Sequence, residues 1–349
     1  MLDVKIVRVL ALAAVLGVAG CGGDSEDAPA STEAAPEAPK AVVVYSSRAE
    51  QLIAPIFAAF TEATGVPVEY ITDDPQPLIA RLQAEGENTP ASVLLTVDAG
   101  NLWFAAEQGV LQSTNSDALN ATIPDYLRDP EGRWFGLSLR ARTIVYDARE
   151  LSADDLVGYE DLADPKWQGR LCLRTSKKVY NQSLVALMIA RHGEEKTEAI
   201  VRGWVDNLAI DPTSNDTRLI EAIADGRCDV GIVNTYYLGR LLRDNAALPV
   251  GLFFPGADVG GVHVNVSGAG IVANAANAGG ARQLLEWLAG AEGQALFASS
   301  NLEFPVLEGT ENDPVVAAWG AYTPSDQPLV DAGRLQADAV RLMDRAGYR

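Results

Sequence analysis

Histidine, cysteine and methionine are scarce in this sequence, whose 349 residues contain two, three and three of them. The two histidines, His192 and His263, stand apart from other ligand residues, which argues against a zinc or manganese site built on imidazoles. The sequence also lacks an H-E-x-x-H motif, a G-x-S-x-G elbow and a calcium-binding loop of the EF-hand type. A secreted hydrolase is therefore a weak hypothesis, since too few histidines remain for a Ser-His-Asp set.

Long apolar runs and an excess of basic residues are absent as well. No segment beyond the amino terminus reaches the roughly 18 consecutive apolar residues that a membrane-spanning helix needs. The formal net charge of −20 argues against a nucleic-acid partner, because phosphate binding requires a basic face.

The amino terminus has the pattern of an export signal. Basic residues precede an apolar run over residues 9–18, and small residues lead to Cys21. The tetrapeptide VAGC that ends at Cys21 resembles the bacterial lipobox. We therefore predict a lipoprotein signal peptide over residues 1–20, a lipid on Cys21 as the sole membrane attachment, and a disordered tether over the acidic, proline-rich residues 21–40. An ordinary cleaved signal with an incidental cysteine is the alternative.

Two cysteines remain, Cys172 and Cys228. An exported protein reaches an oxidising compartment, so an even pair is consistent with a disulfide. Cys172 precedes Tyr180 by eight residues, and Cys228 precedes Tyr236 by the same number. A disulfide between the two segments and a pair of buried free thiols are both compatible with this pattern.

Alternating strand and helix patterns predict an α/β fold. Buried-strand runs at residues 41–45, 66–71 and 92–97 alternate with helical patterns, which predicts a parallel sheet. Two short strands at residues 134–138 and 143–146 are predicted to flank the segment LRAR. Further strand patterns occupy residues 169–174, 230–233, 262–266 and 270–273, and further helical patterns occupy residues 179–192, 194–207, 219–225, 281–289, 292–299 and 327–347.

Strand-to-helix turns carry the polar side chains that are candidates for a binding site. They lie at residues 45–50, 174–183 and 234–237. In open α/β sheets this end of the strands binds ligands, and helix N-termini favour anions. Tyr236 and Tyr237 diverge by roughly 100° at a helix start, so they do not both face the core. One buried and one exposed tyrosine without function is the alternative interpretation.

Phenol groups at such turns suit a hard trivalent cation. A free phenol ionises near pH ~10, and a directly bound metal ion can remove its proton. Iron(III) accepts oxygen ligands, tyrosine included. Arg48, Arg140 and Arg142 could offer guanidinium groups to a carbonate-sized anion that fills the remaining coordination positions. Salt bridges within the protein are the alternative for each arginine.

Four segments resemble the periplasmic ferric-binding proteins of bacterial iron ABC transporters. They are YSSR at residues 45–48, LTVDAG at 95–100, LCLRTSKKVYNQSLVA at 171–186 and VNTYYLGRL at 233–241. The likeness extends in order and spacing over nearly all of residues 41–310. It implies an α/β, two-lobe periplasmic solute-binding protein of the transferrin-type binding fold, with a hinge and an interlobe cleft. It also implies metal binding without catalysis.

The resemblance assigns iron ligation to the phenolates of Tyr180, Tyr236 and Tyr237. Some members of the family carry a His-Tyr pair after the first arginine, where this sequence has Ala49 and Glu50. Either Glu50 supplies a carboxylate, or a synergistic anion such as carbonate completes the shell. In the second case Arg48 would hold the anion together with Arg140 or Arg142.

The predicted lobes each combine two segments of the chain. Lobe 1 takes residues 41–138 and 263–313, and lobe 2 takes residues 139–262 and 314–349, with the hinge near residues 138–143 and 258–267. The expected protein is a monomer, anchored by lipid in the periplasm or at the outer face of the cell membrane. It would deliver Fe³⁺ to the permease and ATPase subunits of an ABC importer. A binding protein of the same fold for an anionic organic solute is the main alternative.

Overall fold

A computed structural model describes residues 39–349. The predicted signal peptide, the lipidation at Cys21 and nearly all of the tether over residues 21–40 lie outside the described residues. Within residues 39–349, no helix is long and apolar enough to cross a membrane.

Strands and helices alternate through most of this part of the chain. The strands are β1 (Val42–Ser46), β2 (Val68–Thr72), β3 (Val93–Val97), β4 (Phe135–Asp147), β5 (Leu171–Cys172), β6 (Val230–Asn234), β7 (Val250–Phe253), β8 (His263–Ile271) and β9 (Phe304–Pro305). The helices are α1 (Glu50–Thr64), α2 (Pro75–Glu85), α3 (Ala99–Glu107), α4 (Asp117–Thr122), α5 (Val179–His192), α6 (Glu194–Asp206), α7 (Asp216–Ala224), α8 (Thr235–Asp244), α9 (Ala278–Ala289), α10 (Ala291–Asn301), α11 (Pro314–Ala317), α12 (Val330–Arg334) and α13 (Gln336–Arg345).

The strands of residues 39–349 form one mixed sheet in the order β2-β1-β3-β8-β4-β6-β5, and β7 and β9 also pair with β4. The predicted parallel pairing is confirmed for β1 with β2 and β3. In contrast, β8 runs antiparallel to both β3 and β4, and β4 runs antiparallel to β6. The centre of the sheet is therefore antiparallel, which the βα rhythm of the sequence does not reveal.

The two short strands predicted at residues 134–138 and 143–146 are in fact the single strand β4. Successive side chains of a strand alternate between its faces, so the charged residues of LRAR leave the strand intact. The two strands predicted at residues 262–266 and 270–273 are likewise one strand, β8. The pairing of β4 with β8 extends from Phe135 opposite Ala269 to Arg142 opposite His263. Both predicted hinge segments therefore overlap this long strand pair.

The buried apolar residues form separate clusters. The first draws on residues 42–137 and 266–306, with a few later residues. The second and third draw mainly on residues 144–253 and 339–348. Leu329 and Ala332 pack in the first cluster, although the sequence assigns their segment to lobe 2. There Gly333 lies directly on Trp103 of α3, whose ring is 2.7 Å from the position that a Cβ atom would take. The lobe boundaries stay a prediction.

A disulfide joins Cys172 to Cys228 across a Cα–Cα distance of 5.9 Å. Of the two possibilities that the sequence left open, the disulfide is therefore the one found. Cys172 ends β5, and Cys228 lies just before β6, with which β5 pairs in parallel. The bond ties together the two strands that lead to the turns of Tyr180 and Tyr236.

Candidate metal centre

The three tyrosines lie at the first turns of two helices. Tyr180 is the second residue of α5, and Tyr236 and Tyr237 follow the first residue of α8. Strand β6 leads directly into α8, and Asn234 is both its last residue and the N-cap of the helix. The sequence places the tyrosines here because the apolar strand run ends at Asn234, where the helical spacing begins.

The three side chains lie near one another. The rings of Tyr236 and Tyr237 lie 4.3 Å apart between centroids. Burial raises the pKa of Tyr236 well above 10, the charges of Tyr180 and Tyr237 raise it further, and Arg140 opposes the shift. The hydroxyl of Tyr236 is therefore neutral at neutral pH. A bound cation must displace its proton, which a hard trivalent metal ion can do.

Three arginines lie over the faces of these rings. The guanidinium carbon of Arg140 is 5.5 Å from the ring centroid of Tyr180. That of Arg174 is 5.2 Å from the centroid of Tyr180 and 5.9 Å from that of Tyr237. That of Arg240 is 4.9 Å from the Tyr236 centroid and 5.9 Å from the Tyr237 centroid. These are cation–π distances, so positive charge surrounds the cluster.

Of these three arginines, only Arg140 was predicted from the sequence. Arg240 follows Tyr236 by four residues and Tyr237 by three, a spacing that makes it a neighbour of each tyrosine on the helix surface and could have pointed to it. No sequence spacing could have identified Arg174 in this way, because it lies in the connection between β5 and α5, far from Tyr237 along the chain.

Several guanidinium nitrogens at the cluster have no hydrogen-bond acceptor among residues 39–349. They are Nε of Arg140, Nε and Nη1 of Arg174, and Nη2 of Arg240. One terminal nitrogen of Arg140, Nη2, donates to the carbonyl oxygen of Val266 at 2.6 Å. A buried donor without an acceptor carries a free-energy penalty. The cluster is therefore suited to a ligand that brings negative oxygen atoms.

Arg48 is engaged elsewhere. Its Nη1 and Nη2 donate to the two carboxylate oxygens of Glu303 at 3.1 and 3.0 Å, and Nη1 also donates to Ser267. Although burial disfavours the charged carboxylate, Arg48 and Arg140 lower the pKa of Glu303. The sequence analysis did not identify Glu303, which follows Arg48 by 255 positions. In this structure the two terminal nitrogens of Arg48 face a carboxylate of the protein itself, and its Nε has no acceptor among residues 39–349.

Arg142 is buried among protein acceptors. It donates to Asp216 at 3.1 Å and to the side-chain oxygen of Asn181 at 2.6 and 3.0 Å. It also donates to the side-chain oxygen of Asn234 at 3.2 Å. Asn181 follows Tyr180, and Asn234 precedes the tyrosine pair. Arg142 therefore holds the two tyrosine turns in place, and its donors are largely used in doing so.

Glu50 does not join the tyrosine cluster by a hydrogen bond in the described part of the chain. It is exposed at the start of α1, where it accepts a hydrogen bond from the hydroxyl of Tyr70 at 3.3 Å.

In the part of the chain that the structure describes, no cluster of the usual soft or acidic ligands offers an alternative metal centre. Within residues 39–349, no group of three or more His, Cys, Asp or Glu side chains is arranged to hold a metal ion. His263 is buried in β8, and burial, with the charges of Arg142 and Arg140, lowers its pKa to about 3. The tyrosine cluster is thus the candidate metal centre of the described chain.

The fold defines a class, that of the two-lobe α/β solute-binding proteins. Residues 56–324 match the family of bacterial extracellular solute-binding proteins, and the chain belongs to that family. This is a family of binding proteins rather than of enzymes.

Individual relatives agree with the family assignment. The chain is 42% identical to "Iron uptake protein A1" of Synechocystis over 88% of this chain and 87% of that protein. Its structure is similar to that of a Trichodesmium protein (IdiA, FutA) solved "in complex with iron and citrate ligands", with a TM-score of 0.84, 42% identity and coverage of 88% and 100%. It is also similar to the apo ferric ion-binding protein A of Pasteurella haemolytica, with a TM-score of 0.83, 36% identity and coverage of 89% and 98%.

Proposed function

We propose that this protein binds ferric iron outside the cytoplasm and that the phenolates of Tyr180, Tyr236 and Tyr237 are its protein ligands. The observation that carries the proposal is the proximity of three phenols from two helix starts beneath three arginines. Three phenolates neutralise one trivalent cation, and oxygen donors suit iron(III). The relatives that are named for iron support the same choice of metal.

The proposed shell is completed by a small anion such as carbonate or a carboxylate, rather than by Glu50. Arg140 is the protein donor to that anion, because its Nε has no acceptor among residues 39–349 and it lies over Tyr180. Glu50 is exposed and bonded to Tyr70, and Arg48 and Arg142 are occupied by Glu303 and Asp216. The Trichodesmium relative, solved with iron and citrate, is consistent with an anion at the metal.

The proposed cellular role is that of the binding component of an ABC importer. Export and lipidation at Cys21 would hold a monomer in the periplasm or at the outer face of the cell membrane, and permease and ATPase subunits would receive the iron. Lobes 1 and 2, with the boundaries given above, would close on the metal about the β4–β8 pair. Iron would bind the tyrosines of lobe 2 first.

Binding of an anionic organic solute without metal is the second candidate. The buried guanidinium nitrogens without acceptors favour it, because they suit a carboxylate whether or not a metal accompanies it. In that case the tyrosines would only stack against the solute or donate hydrogen bonds to it.

The test is titration of the purified protein with ferric chloride in bicarbonate buffer. A phenolate-to-iron charge-transfer band should appear in the visible spectrum at one iron per chain. The band should weaken or vanish in Tyr180→Phe, Tyr236→Phe and Tyr237→Phe. Tyr146→Phe is the control, since that half-buried tyrosine lies on β4 and forms no side-chain hydrogen bond among residues 39–349. A protein that stays colourless but is stabilised thermally by citrate without metal would favour the second candidate.

A further inference from the structure

Arg174 occupies an unusual position between two of the tyrosines. Its side chain is 7% exposed, and its guanidinium carbon lies near the ring faces of both Tyr180 and Tyr237. The residue comes directly before the turn that leads into α5. Its backbone is fixed there by the carbonyl oxygen, which accepts a hydrogen bond from Asn181 at 2.8 Å and another from Tyr348.

The protein itself satisfies this guanidinium poorly. Its closest carboxylate oxygen, Oδ1 of Asp216, is 3.5 Å from Nη1, and neither Nε nor Nη1 has a hydrogen-bond acceptor among residues 39–349. The other oxygen of Asp216 already accepts from Arg142 at 3.1 Å and from the backbone of Asn234 at 3.0 Å. A buried charge usually needs closer partners than these. Oδ1 of Asp216 has no hydrogen-bond partner among residues 39–349 either, so the long ion pair with Asp216 and the two ring faces together account for the position of Arg174.

Arg142 and Arg174 differ in how fully the protein satisfies their guanidinium groups. Arg142 is more deeply buried, with a side chain 1% exposed, and it pairs with the same Asp216, but it is also hydrogen-bonded to two asparagine side chains and a backbone carbonyl. These bonds within the protein account for the position of Arg142. Arg174 shares the neighbourhood without sharing these bonds, which points to a role that depends on the state of the tyrosines.

We propose that Arg174 is a positioning residue for the metal centre, which holds the ring planes of Tyr180 and Tyr237 and compensates their negative charge when iron is bound. This inference rests on the proposed function. The planar guanidinium covers two rings at once, so it fixes their relative orientation before the metal arrives. Once the phenols are ionised, the same cation lies near two phenolates in a half-buried site, where charge interactions are stronger than in water.

The spectrum reports on this role directly. A nearby positive charge lowers the energy of the phenolate electrons, so its removal should move the charge-transfer band of the iron-loaded protein to longer wavelength. Arg174→Gln should show this shift and should bind iron roughly tenfold more weakly in competition with EDTA. Arg174→Lys keeps a charge but cannot cover both rings, so its band position and affinity should lie between those of the other two proteins.

The matched control is Arg170→Gln, four residues earlier in the same segment. The guanidinium of Arg170 pairs with Asp229 at 2.5 Å and lies over Trp167, away from the tyrosines. Its loss should leave the band and the iron affinity unchanged.

The outcomes separate this inference from the proposed function. A wild-type protein that forms no band refutes the proposed function and this role with it. A wild-type band that is unchanged in position and affinity in folded Arg174→Gln refutes the positioning role alone. If Arg174→Gln does not fold, Arg174→Lys decides, since wild-type spectra and affinity in that variant would overturn the proposal.

Discussion

Ser183 donates a hydrogen bond from its Oγ to Oδ2 of Asp98 at 2.5 Å, which ties the helix of Tyr180 to the end of strand β3. The same carboxylate oxygen accepts from Asn265 of β8 at 2.7 Å, and the other oxygen accepts from the backbone of Gly100. All three partners are hydrogen-bond donors, which favour the ionised carboxylate, whereas its burial disfavours that form. Asp98 thereby links β3, β8 and α5.

Asp98 should make the free energy of unfolding decrease as pH rises, the reverse of the usual effect of a carboxylate. Burial raises its pKa to about 6, although Ser183, Gly100, Arg140 and Asn265 all oppose the shift. A carboxyl whose pKa is higher in the folded state contributes stability below its unfolded value of about 3.9. That contribution is lost as pH rises through the folded value. The loss between pH ~4 and pH ~7 should approach about 3 kcal/mol.

The check is urea unfolding of the wild type and Asp98→Asn across this pH range. Asparagine tolerates the backbone of residue 98, whose φ is 86°, and it cannot ionise. The unfolding free energy of the variant should therefore increase relative to that of the wild type as pH rises. Ser183→Ala removes one opposing donor and should move the transition to higher pH. Parallel pH curves for wild type and Asp98→Asn would show that Asp98 does not titrate in this window.

The ion pair of Arg48 with Glu303 should matter for stability more than surface pairs do. The two side chains are 1% and 3% exposed. Glu303→Gln leaves a buried guanidinium without its counter-charge, so the free energy of unfolding should fall by about 3–5 kcal/mol. Replacement of both residues, Arg48→Met with Glu303→Leu, should recover much of that loss.

Glu308→Gln serves as the control for this measurement, because Glu308 is exposed and lies on the same connection. Urea unfolding at constant pH and salt provides the comparison. A Glu303→Gln protein as stable as the Glu308→Gln control would mean that Arg48 finds another partner.

The sequence was informative where local pattern decides the outcome. The strand that ends at Asn234 and the helix that begins at Thr235 follow from a β-branched run and a capping residue, and the tyrosine pair lies where they meet. The same holds for Tyr180 at the start of α5. These positions depend on neighbours in the sequence, which is why they could be predicted.

The roles of the arginines depend on distant neighbours and could not be read in this way. The partner of Arg48 is 255 positions away, and the acidic partner of Arg142 is 74 positions away. Nothing local distinguishes these residues from Arg140, which forms no salt bridge among residues 39–349. The unbroken strand β4 was missed for a related reason, because its arginines look like a loop until their buried partners are known.

The disulfide should contribute stability without defining the metal centre. It closes a loop with a sequence separation of 56, for which chain entropy gives about 4 kcal/mol. Cys172→Ala with Cys228→Ala should therefore lower the unfolding free energy by up to that amount. The iron band should keep its position, since Arg142 and its asparagine partners still hold both tyrosine turns.

Dithiothreitol treatment of the wild type under partly denaturing conditions provides an independent check, because reduction should reproduce the stability of the double variant. A shifted band in the double variant would instead show that the covalent link itself sets the tyrosine geometry.

Glu50 offers a direct test of how the iron shell is completed. It is exposed, its hydrogen-bond partner is Tyr70, and a flexible surface carboxylate contributes little to a preformed site. Glu50→Gln should therefore leave the iron affinity within about twofold of the wild type, as measured by EDTA competition in bicarbonate buffer. Removal of bicarbonate and other small anions should weaken binding equally in both proteins, because Arg140 holds the anion in each. A large loss of affinity in Glu50→Gln, with little effect of bicarbonate on the wild type, would identify Glu50 as a ligand that moves to coordinate the metal when the metal binds.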